Sequence, residues 1–159
     1  TVVTTLAGTG STGSANGTGT SASFYSPYGI TTDGTNLYVA DLRNHLIRKI
    51  VISTGAVTTV AGTGSQGSAN GTGTSASFYT PRGITTDGTN LYVADRYNYL
   101  IRQIVISTGV VTTVAGTGSS GSANGTGTSA SFYKPFGITT DGTNLYIADY
   151  GNHKIRQIE

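Results

Sequence analysis

The chain has 159 residues, a formal net charge of +2 and a charged fraction of 10%, against about 25% in an average globular protein. It contains no Cys, which excludes disulfides, thiolate chemistry and Cys-based metal sites. No run approaches the ~18 apolar residues of a membrane-spanning helix, so we expect no membrane partner, and so small a net charge does not by itself indicate nucleic-acid binding. Because the chain starts at Thr1 and lacks Met, we expect a processed, trimmed or artificially produced chain.

One unit of 54 residues is written three times, as the spacing of Asp33, Asp87 and Asp141 shows. The second and third copies agree at 40 of 50 aligned positions, as in a designed, reconstructed or recently amplified repeat protein. Such repeats predict a stack of like units. We expect one segment, 1–159, with these parts: a lone outermost strand (1–8), unit one (9–62), unit two (63–116) and unit three (117–159), which lacks its outermost strand.

A long connection opens each unit. In the second unit it runs from Gly62 to Thr80, carries no charge and is rich in Gly, Ser and Thr. Such a composition is also typical of a flexible linker. Each connection, however, ends in Ala-Ser-Phe-Tyr. We therefore expect an ordered loop, fixed by Phe24, Phe78 and Phe132 between neighbouring units.

Four strands follow along the unit. The second copy reads Gly83–Asp87, Asn90–Asp95, Tyr99–Ser107 and Val110–Gly116, and none of these runs has the 3.6-residue period of a helix. Asp87-Gly88 between the first two runs indicates a hairpin, because Gly accepts the positive φ of a tight turn. A four-stranded antiparallel unit covered by like units on both faces is a propeller blade. The fold class is therefore an all-β propeller with three four-stranded antiparallel blades.

The repeated motif resembles the NHL repeat of β-propellers. "LYVADxxNxxIRxI" occurs at Leu37–Ile50 and Leu91–Ile104 and, with Ile147 in place of Val, at Leu145–Ile158. It follows a Pro-x-Gly-Ile start in each copy. The resemblance covers nearly the whole chain. It implies a propeller of mostly six blades that binds protein, RNA or ligands, and a few relatives, such as the amidating lyase, are enzymes.

A polar triplet of Asp, Asn and Arg recurs in every unit. The Asp and Asn lie at the turn after strand two, and the Arg lies in strand three. The Asp and Asn are expected to bond backbone amides in the turn, and the Arg to pair with a carboxylate in a partly buried setting. Because every unit has the triplet, we assign it a structural role. The charged members are Asp41, Arg48, Asp95, Arg102, Asp149 and Arg156.

The positions that differ between copies crowd onto one end of the predicted blades. They combine cations with aromatic rings, which suits an anionic, glycan or protein ligand, although tolerated variation in loops would give the same pattern. The candidate ligand-binding residues are Tyr28, Arg43, His45, Arg82, Arg96, Tyr97, Tyr99, Lys134, Phe136, Tyr150, His153 and Lys154. Two His and no Cys fall short of the three or four ligands of a zinc site, so we expect no metal and no cofactor. No catalytic constellation is found.

The two ends of the chain are complementary. Val2–Gly8 repeats the outermost strand, and the last copy stops before that strand. Closure within one chain would need a three-bladed ring, below the usual minimum of four blades. We therefore expect a homo-oligomer whose Val2–Gly8 strand completes the next subunit's third blade. A dimer with six blades is favoured over a trimer with nine.

Two main functions remain open from the sequence. The first is a non-catalytic, self-assembling scaffold or recognition module. The second is a binding domain that uses the cationic, aromatic end for RNA, glycan or an acidic protein. A lyase-like metalloenzyme is a weaker third interpretation. Nothing in the sequence indicates a cellular compartment.

Overall fold

The computed structural model describes all 159 residues, in thirteen strands and five three-residue 3₁₀ turns, with no α-helix. The all-β prediction is therefore confirmed. The strands are β1 (Gly17–Thr18), β2 (Pro27–Thr32), β3 (Asn36–Asp41), β4 (Leu46–Val51), β5 (Ala56–Ala61), β6 (Gly71–Thr72), β7 (Pro81–Thr86), β8 (Asn90–Asp95), β9 (Leu100–Val105), β10 (Val110–Ala115), β11 (Pro135–Thr140), β12 (Leu145–Asp149) and β13 (Lys154–Ile158). None of the helical turns is long and apolar enough to cross a membrane.

The strands form three antiparallel sheets, which we call blades 1, 2 and 3. Blade 1 has the order β1-β5-β4-β3-β2, blade 2 the order β6-β10-β9-β8-β7, and blade 3 the order β11-β12-β13. The four longer strands of blades 1 and 2 meander in chain order, and the two-residue strands β1 and β6 come from the long connections. In blade 3, β13 is the edge of the sheet.

The first hairpin of each blade is fixed by its Asp. In blade 1, the Asp33 carboxylate accepts hydrogen bonds from the backbone N–H of Thr35 at 2.9 Å and of Asn36 at 2.6 Å. Gly34 has a φ of +90°, a conformation that costs glycine little. The Tyr38 hydroxyl then donates to the same carboxylate at 2.9 Å. The turn is thus specified by side chains as well as by its glycine.

The innermost strands β2, β7 and β11 approach one another through glycine. A Cβ on Gly83 would collide with the carbonyl oxygen of Phe136, and one on Gly29 would collide with that of Arg82. Only a residue without a side chain permits this approach. The equivalent Gly137 has no such neighbour, since a Cβ there would meet only Ala148 Cβ at 3.7 Å.

The main hydrophobic core lies between blades 1 and 2. Blade 1 contributes Tyr38 and Ile47, and blade 2 contributes Phe78, Ile84 and Val93, all of them buried. A second cluster, between blades 2 and 3, repeats the arrangement around Ile101, Phe132 and Ile147. Each blade therefore completes its core only against its neighbour.

The long connections are ordered, as the sequence predicted. In the second one, Ser77 Oγ accepts from the backbone N–H of Ala69 at 2.9 Å, and the N–H of Ser77 donates to Ala69 O at 3.0 Å. A parallel bridge joins Gln66 to Phe78. Phe78 and Phe132 are buried between blades. The connection is thus part of the junction rather than a flexible linker.

In the single chain, Phe24 departs from the expected burial between neighbouring units. It packs beside the small cluster of Ala22, Val39 and Ile50 on blade 1 and is only partly buried. No blade lies on the other side of this ring in the single chain, so Phe24 lacks the second wall that encloses Phe78. The same residue type is therefore a junction residue in blades 2 and 3 and an end residue in blade 1.

We expect Phe78→Ala to lower the free energy of unfolding by about 3–5 kcal/mol, because it empties a site enclosed on all sides. Phe24→Ala is the matched control, since its ring is partly exposed, and it should cost less than half as much. Urea unfolding at one protein concentration measures both. A loss below about 1 kcal/mol for Phe78→Ala would contradict the buried junction.

Candidate functional site

The recurring triplet ties each blade to its long connection. In blade 2, Arg102 donates to Asp95 at 3.0 Å and to the carbonyl oxygens of Ser77 at 3.1 Å and Ala69 at 3.0 Å. The Nη2 atom of Arg102, which bonds Ala69, also donates to Asn70 Oδ1 at 2.9 Å. The charged pair is fully buried. Blades 1 and 3 repeat the ion pair as Asp41–Arg48 and Asp149–Arg156.

The Asn of the triplet differs in detail from expectation. Asn98 Nδ2 donates to Asp95 at 2.7 Å and to the carbonyl oxygen of Gly67 at 2.6 Å, so it bonds a carbonyl of the long connection rather than a backbone amide. The backbone amide in the network is that of Tyr79, which donates to Asp95 at 2.8 Å. Sequence reasoning could not locate these partners, because they lie 16 to 33 residues away.

Burial raises the pKa of the Asp95 carboxyl to about 6, against the opposing hydrogen bonds from Asn98, the Tyr79 N–H and Arg102. The carboxylate is thus ionised at neutral pH and balances the buried Arg102 charge. This arrangement accounts for the triplet as structural, since both oxygens of the Asp95 carboxylate and both terminal nitrogens of Arg102 are bonded within the blade.

The candidate ligand-binding residues share one end of the blades, which we call the variable face. The pairing of Pro27 with Asp41, and of Pro81 with Asp95, brings the start of the innermost strand beside the turn after the second strand. Both variable clusters therefore lie at the same end. The hairpins of Asp33, Asp87 and Asp141 lie at the other.

Arg82 lies at the centre of the first cluster. Its guanidinium carbon is 3.4 Å from the ring centroid of Phe136 and 4.1 Å from that of Tyr28. The Phe136 ring in turn lies 5.4 Å from Tyr150. All three blades thus contribute to one cation–aromatic group at the start of the innermost strands.

A second cluster lies between blades 2 and 3. Arg96 stacks on Tyr97 at 4.4 Å, and Lys134 Nζ lies 5.1 Å from the Tyr133 ring. Tyr99 packs against Tyr133 with ring centroids 5.9 Å apart. Within blade 1, Arg43 donates to the Tyr25 hydroxyl at 3.1 Å. By contrast, His153 and Lys154 make no such contact and stand exposed at the end of blade 3.

Tyr25, Tyr79 and Tyr133 belong to the variable face, although sequence reasoning did not select them. Tyr79 packs against His45 and Tyr97, with ring centroids 5.8 Å and 5.2 Å away. These tyrosines are identical in every copy, so they do not stand out among the positions that differ. Their place directly before the variable position ahead of each Pro was the available signal.

Backbone strain also concentrates on this face. The non-glycine residues with positive φ are Ser26, His45, Thr80, Tyr99, Lys134 and His153, all at positions that differ between copies or flank them. For a β-branched or bulky residue such as Thr80 or Tyr99 this conformation is unfavourable. Strained residues of this kind cluster at functional sites more often than elsewhere.

Charge is segregated between the two ends. The variable face carries Arg43, Arg82, Arg96, Lys134 and Lys154, and none of them forms an ion pair. The opposite end carries Asp33, Asp87 and Asp141. Hydrogen bonds from the Asn144 and Thr143 amides hold the pKa of Asp141 at about 2, so that end keeps its negative charge. No group of three His, Asp or Glu side chains is arranged to hold a metal ion.

His45 joins blades 1 and 2. Its Nδ1 accepts a hydrogen bond from the backbone N–H of Thr80 at 3.1 Å, and its ring packs edge-on against Tyr79. Burial lowers the pKa of His45 below its usual 6.5. Protonation would also remove the acceptor of the Thr80 bond, so the junction favours the neutral ring.

The comparisons with known proteins agree with this architecture. The solved structures that match are of the β-propeller type. A protein of unknown function from Bacteroides thetaiotaomicron superposes with a TM-score of 0.75 at 28% identity, over 82% of this chain and 34% of that one. An auxiliary nutrient binding protein from Bacteroides ovatus superposes with a TM-score of 0.69 at 28% identity, over 79% of this chain and 35% of that one. The class of protein is therefore a β-propeller.

No family model matches the chain. NHL repeat-containing protein 2 from Bos taurus is 34% identical to it over 135 residues, which is 77% of this chain. The chain spans only 19% of that relative's length. The repeats of the present chain are therefore NHL repeats, and the resemblance found in the sequence pattern is confirmed. A virginiamycin B lyase from Staphylococcus aureus, at 21% identity and a TM-score of 0.54 over 84% of this chain and 38% of that one, shares the fold alone.

We expect His45 to contribute stability that is lost as the pH drops below about 6.5, its usual pKa. Asp95, whose pKa is raised to about 6 by burial, contributes with the opposite sign in the same range, so the effect of His45 is measured by comparing the parent with a variant. Because the folded state lowers the pKa of His45, the unfolded state takes up its proton first, and the stability present above that value is lost towards the lower folded pKa. Urea unfolding between pH 7.5 and 5 measures this. His45→Asn retains Asp95 and His153, so the parent should lose stability relative to this variant as the pH falls from 7.5 to 5, and equal slopes would contradict the assignment.

Arg102→Met should lower the free energy of unfolding by about 3–5 kcal/mol, because it leaves the buried Asp95 carboxylate without its partner. Arg96→Met is the control in the same blade. That arginine stacks on Tyr97 but pairs with no carboxylate, so its loss should cost about 1 kcal/mol or less. Similar losses in both variants would show that the buried ion pair stabilises the blade no more than a surface stacking contact does.

Proposed function

We propose that the chain is a non-catalytic, self-assembling NHL-type propeller module. In this proposal, residues 2–7 of one copy form the outermost strand on the free edge of β13 of the next copy. The observation that carries it is the exposure of surfaces that are buried in the internal junctions. Ile155 is 77% exposed whereas its equivalents Ile47 and Ile101 are fully buried, and Val3 is 93% exposed whereas Val57 is 1% exposed.

The geometry of residues 1–8 supports the same proposal. The N–H of Gly8 donates to Gly19 O at 3.1 Å, as Gly62 donates to Gly73 O at 3.2 Å after β5. The segment reads VVTTLA, against VVTTVA in β10. It therefore reaches blade 1 as an outermost strand does, but residues 1–8 pair with no strand of this chain.

The surfaces at the two ends fit one another. Blade 1 leaves Phe24 partly exposed and Ile30 exposed, whereas their equivalents Phe78 and Ile84 are buried in the internal junction. Blade 3 exposes Ile155, whose equivalent Ile47 fills the other side of that junction. Leaving such faces and a bare strand edge in water favours aggregation. A second copy supplies both the missing face and the missing strand.

The size of the ring follows from the number of copies. Two copies supply six blades and three supply nine, and we propose the dimer because NHL-type propellers are mostly six-bladed. Chains whose repeats are nearly identical, whether designed or recently amplified, suit such assembly, since every junction then has nearly the same contacts.

The use of the carboxylates supports a non-catalytic role. Asp41, Asp95 and Asp149 are each paired with an arginine. Asp33, Asp87 and Asp141 each accept hydrogen bonds within a hairpin turn. All six aspartates thus have structural partners, which leaves only Glu159 among the acidic residues.

Gly137→Ala tests the assembly directly. In a closed ring, Gly137 would face the Tyr28 carbonyl oxygen of the next copy, as Gly83 faces that of Phe136. Native mass spectrometry should show the dimer of the 16.2 kDa chain for the parent and a folded monomer for Gly137→Ala. Gly83→Ala is the matched variant within the chain and should cost about 1–3 kcal/mol of stability.

Two results would contradict the assembly. One is a monodisperse, native-like parent monomer at micromolar concentration. The other is an unchanged oligomer mass for Gly137→Ala. A variant lacking residues 2–8 provides an independent check, because it removes the donated strand without altering any innermost strand.

A second candidate function is recognition of an anionic ligand at the variable face. The specific observation is the segregation of charge, with five cations free of ion pairs at one end and three ionised aspartates at the other. Such a field attracts anions to one side of the disc. Binding of polyglutamate, compared between low and moderate salt, tests this function.

A further inference from the structure

We propose that Arg82 forms an oxyanion-binding site at the start of the innermost strands, with a carboxylate or phosphate group as its ligand. This inference rests on the second candidate function above and not on ring closure. It names the position on the variable face where a cation contacts aromatic rings of both other blades.

The first observation is the enclosure of the guanidinium. Phe136 and Tyr28 contact it from blades 3 and 1, at 3.4 Å and 4.1 Å from the ring centroids. These are the equivalents of Arg82 in the other two copies. One arginine between two aromatic rings avoids the repulsion that three arginines would suffer, so the three different residues form one complementary group.

The second observation is that the charge of Arg82 is uncompensated. No carboxylate lies within ion-pair distance of its guanidinium, and its Nε is buried without a hydrogen-bond partner, as are the Nε atoms of Arg48, Arg96 and Arg102. By comparison, Arg48, Arg102 and Arg156 each bond an aspartate and two carbonyl oxygens. An arginine held by stacking alone retains hydrogen-bond donors for an added acceptor.

The third observation concerns which donors remain available. The Nε is buried, whereas the two terminal nitrogens are not among the buried unpaired atoms. A fork of two N–H groups matches the spacing of carboxylate and phosphate oxygens. Tyr28, whose ring contacts the guanidinium, and Tyr150, whose ring packs on Phe136, are 51% and 59% exposed. The site thus suits an oxyanion carried on a small or planar group.

The test is a titration followed by NMR of the arginine Nε–H signals and of the Phe136 and Tyr28 rings. Inorganic phosphate and acetate are the two probes, and they distinguish a phosphate from a carboxylate preference. We expect saturable shifts at Arg82 and its two rings. Arg82→Gln should weaken binding at least about tenfold, because it removes a charge-assisted pair of hydrogen bonds.

Two variants control for charge and for folding. Lys49→Gln removes the same charge from β4 of blade 1, outside the variable face, and should retain the affinity within about threefold, since salt screens charges at a distance. Arg82→Lys keeps the charge but lacks the fork, so it should bind more weakly than the parent. Urea unfolding of each variant verifies that it is folded.

Several outcomes would overturn the site. NMR shifts that do not saturate, equal losses of affinity in Arg82→Gln and Lys49→Gln, or full binding by Arg82→Gln would each do so. Polyglutamate separates the two proposals: if it still binds the parent while phosphate and acetate do not act at Arg82, the face retains its function and this site is wrong. If polyglutamate also fails to bind, both proposals are wrong. Gly137→Ala should bind both probes as the parent does.

Discussion

The packing of one blade against the next is the constraint on which the rest of the structure depends. A blade is a twisted sheet with two apolar faces, and it cannot enclose both by itself. Phe78, carried by the long connection, fills the junction between blades 1 and 2 together with Ile47 and Val93. The glycines of the innermost strands allow the blades to come close enough for this contact. Where no neighbour exists, the same residue types lie in water.

The buried ion pairs serve this junction indirectly. Arg102 holds two carbonyl oxygens of the connection and the Asp95 carboxylate, and Asp95 accepts from the backbone of Tyr79. The network thereby fixes the segment that carries Phe78. It also positions Tyr79 on the variable face, so one set of contacts supports both the core and the candidate ligand-binding surface.

Much of this fold could be predicted from the sequence, because its signals are local. The Asp33-Gly34 turn and the apolar run of β3 indicate a hairpin and a covered strand without knowledge of any distant residue. The partners of Arg48 could not be predicted, since they include carbonyl oxygens 25 and 33 residues away. Nor could the partial exposure of Phe24, which depends on the absence of a neighbouring blade. The Arg82 site required three chain segments to be brought together.

The central proposal is that residues 2–7 of one copy pair with β13 of the next in the register of the internal blades. Thr58 pairs with Lys49, and Thr112 with Gln103, so Thr4 should face Gln157 of the neighbouring copy. The chain has no Cys, so oxidation of a variant carrying Thr4→Cys and Gln157→Cys reports on this register alone. Denaturing mass spectrometry should show a covalently closed dimer, and no closed product with Thr4→Cys and Lys154→Cys. A monomeric product from the first pair, or equal cross-linking in both, would contradict the account.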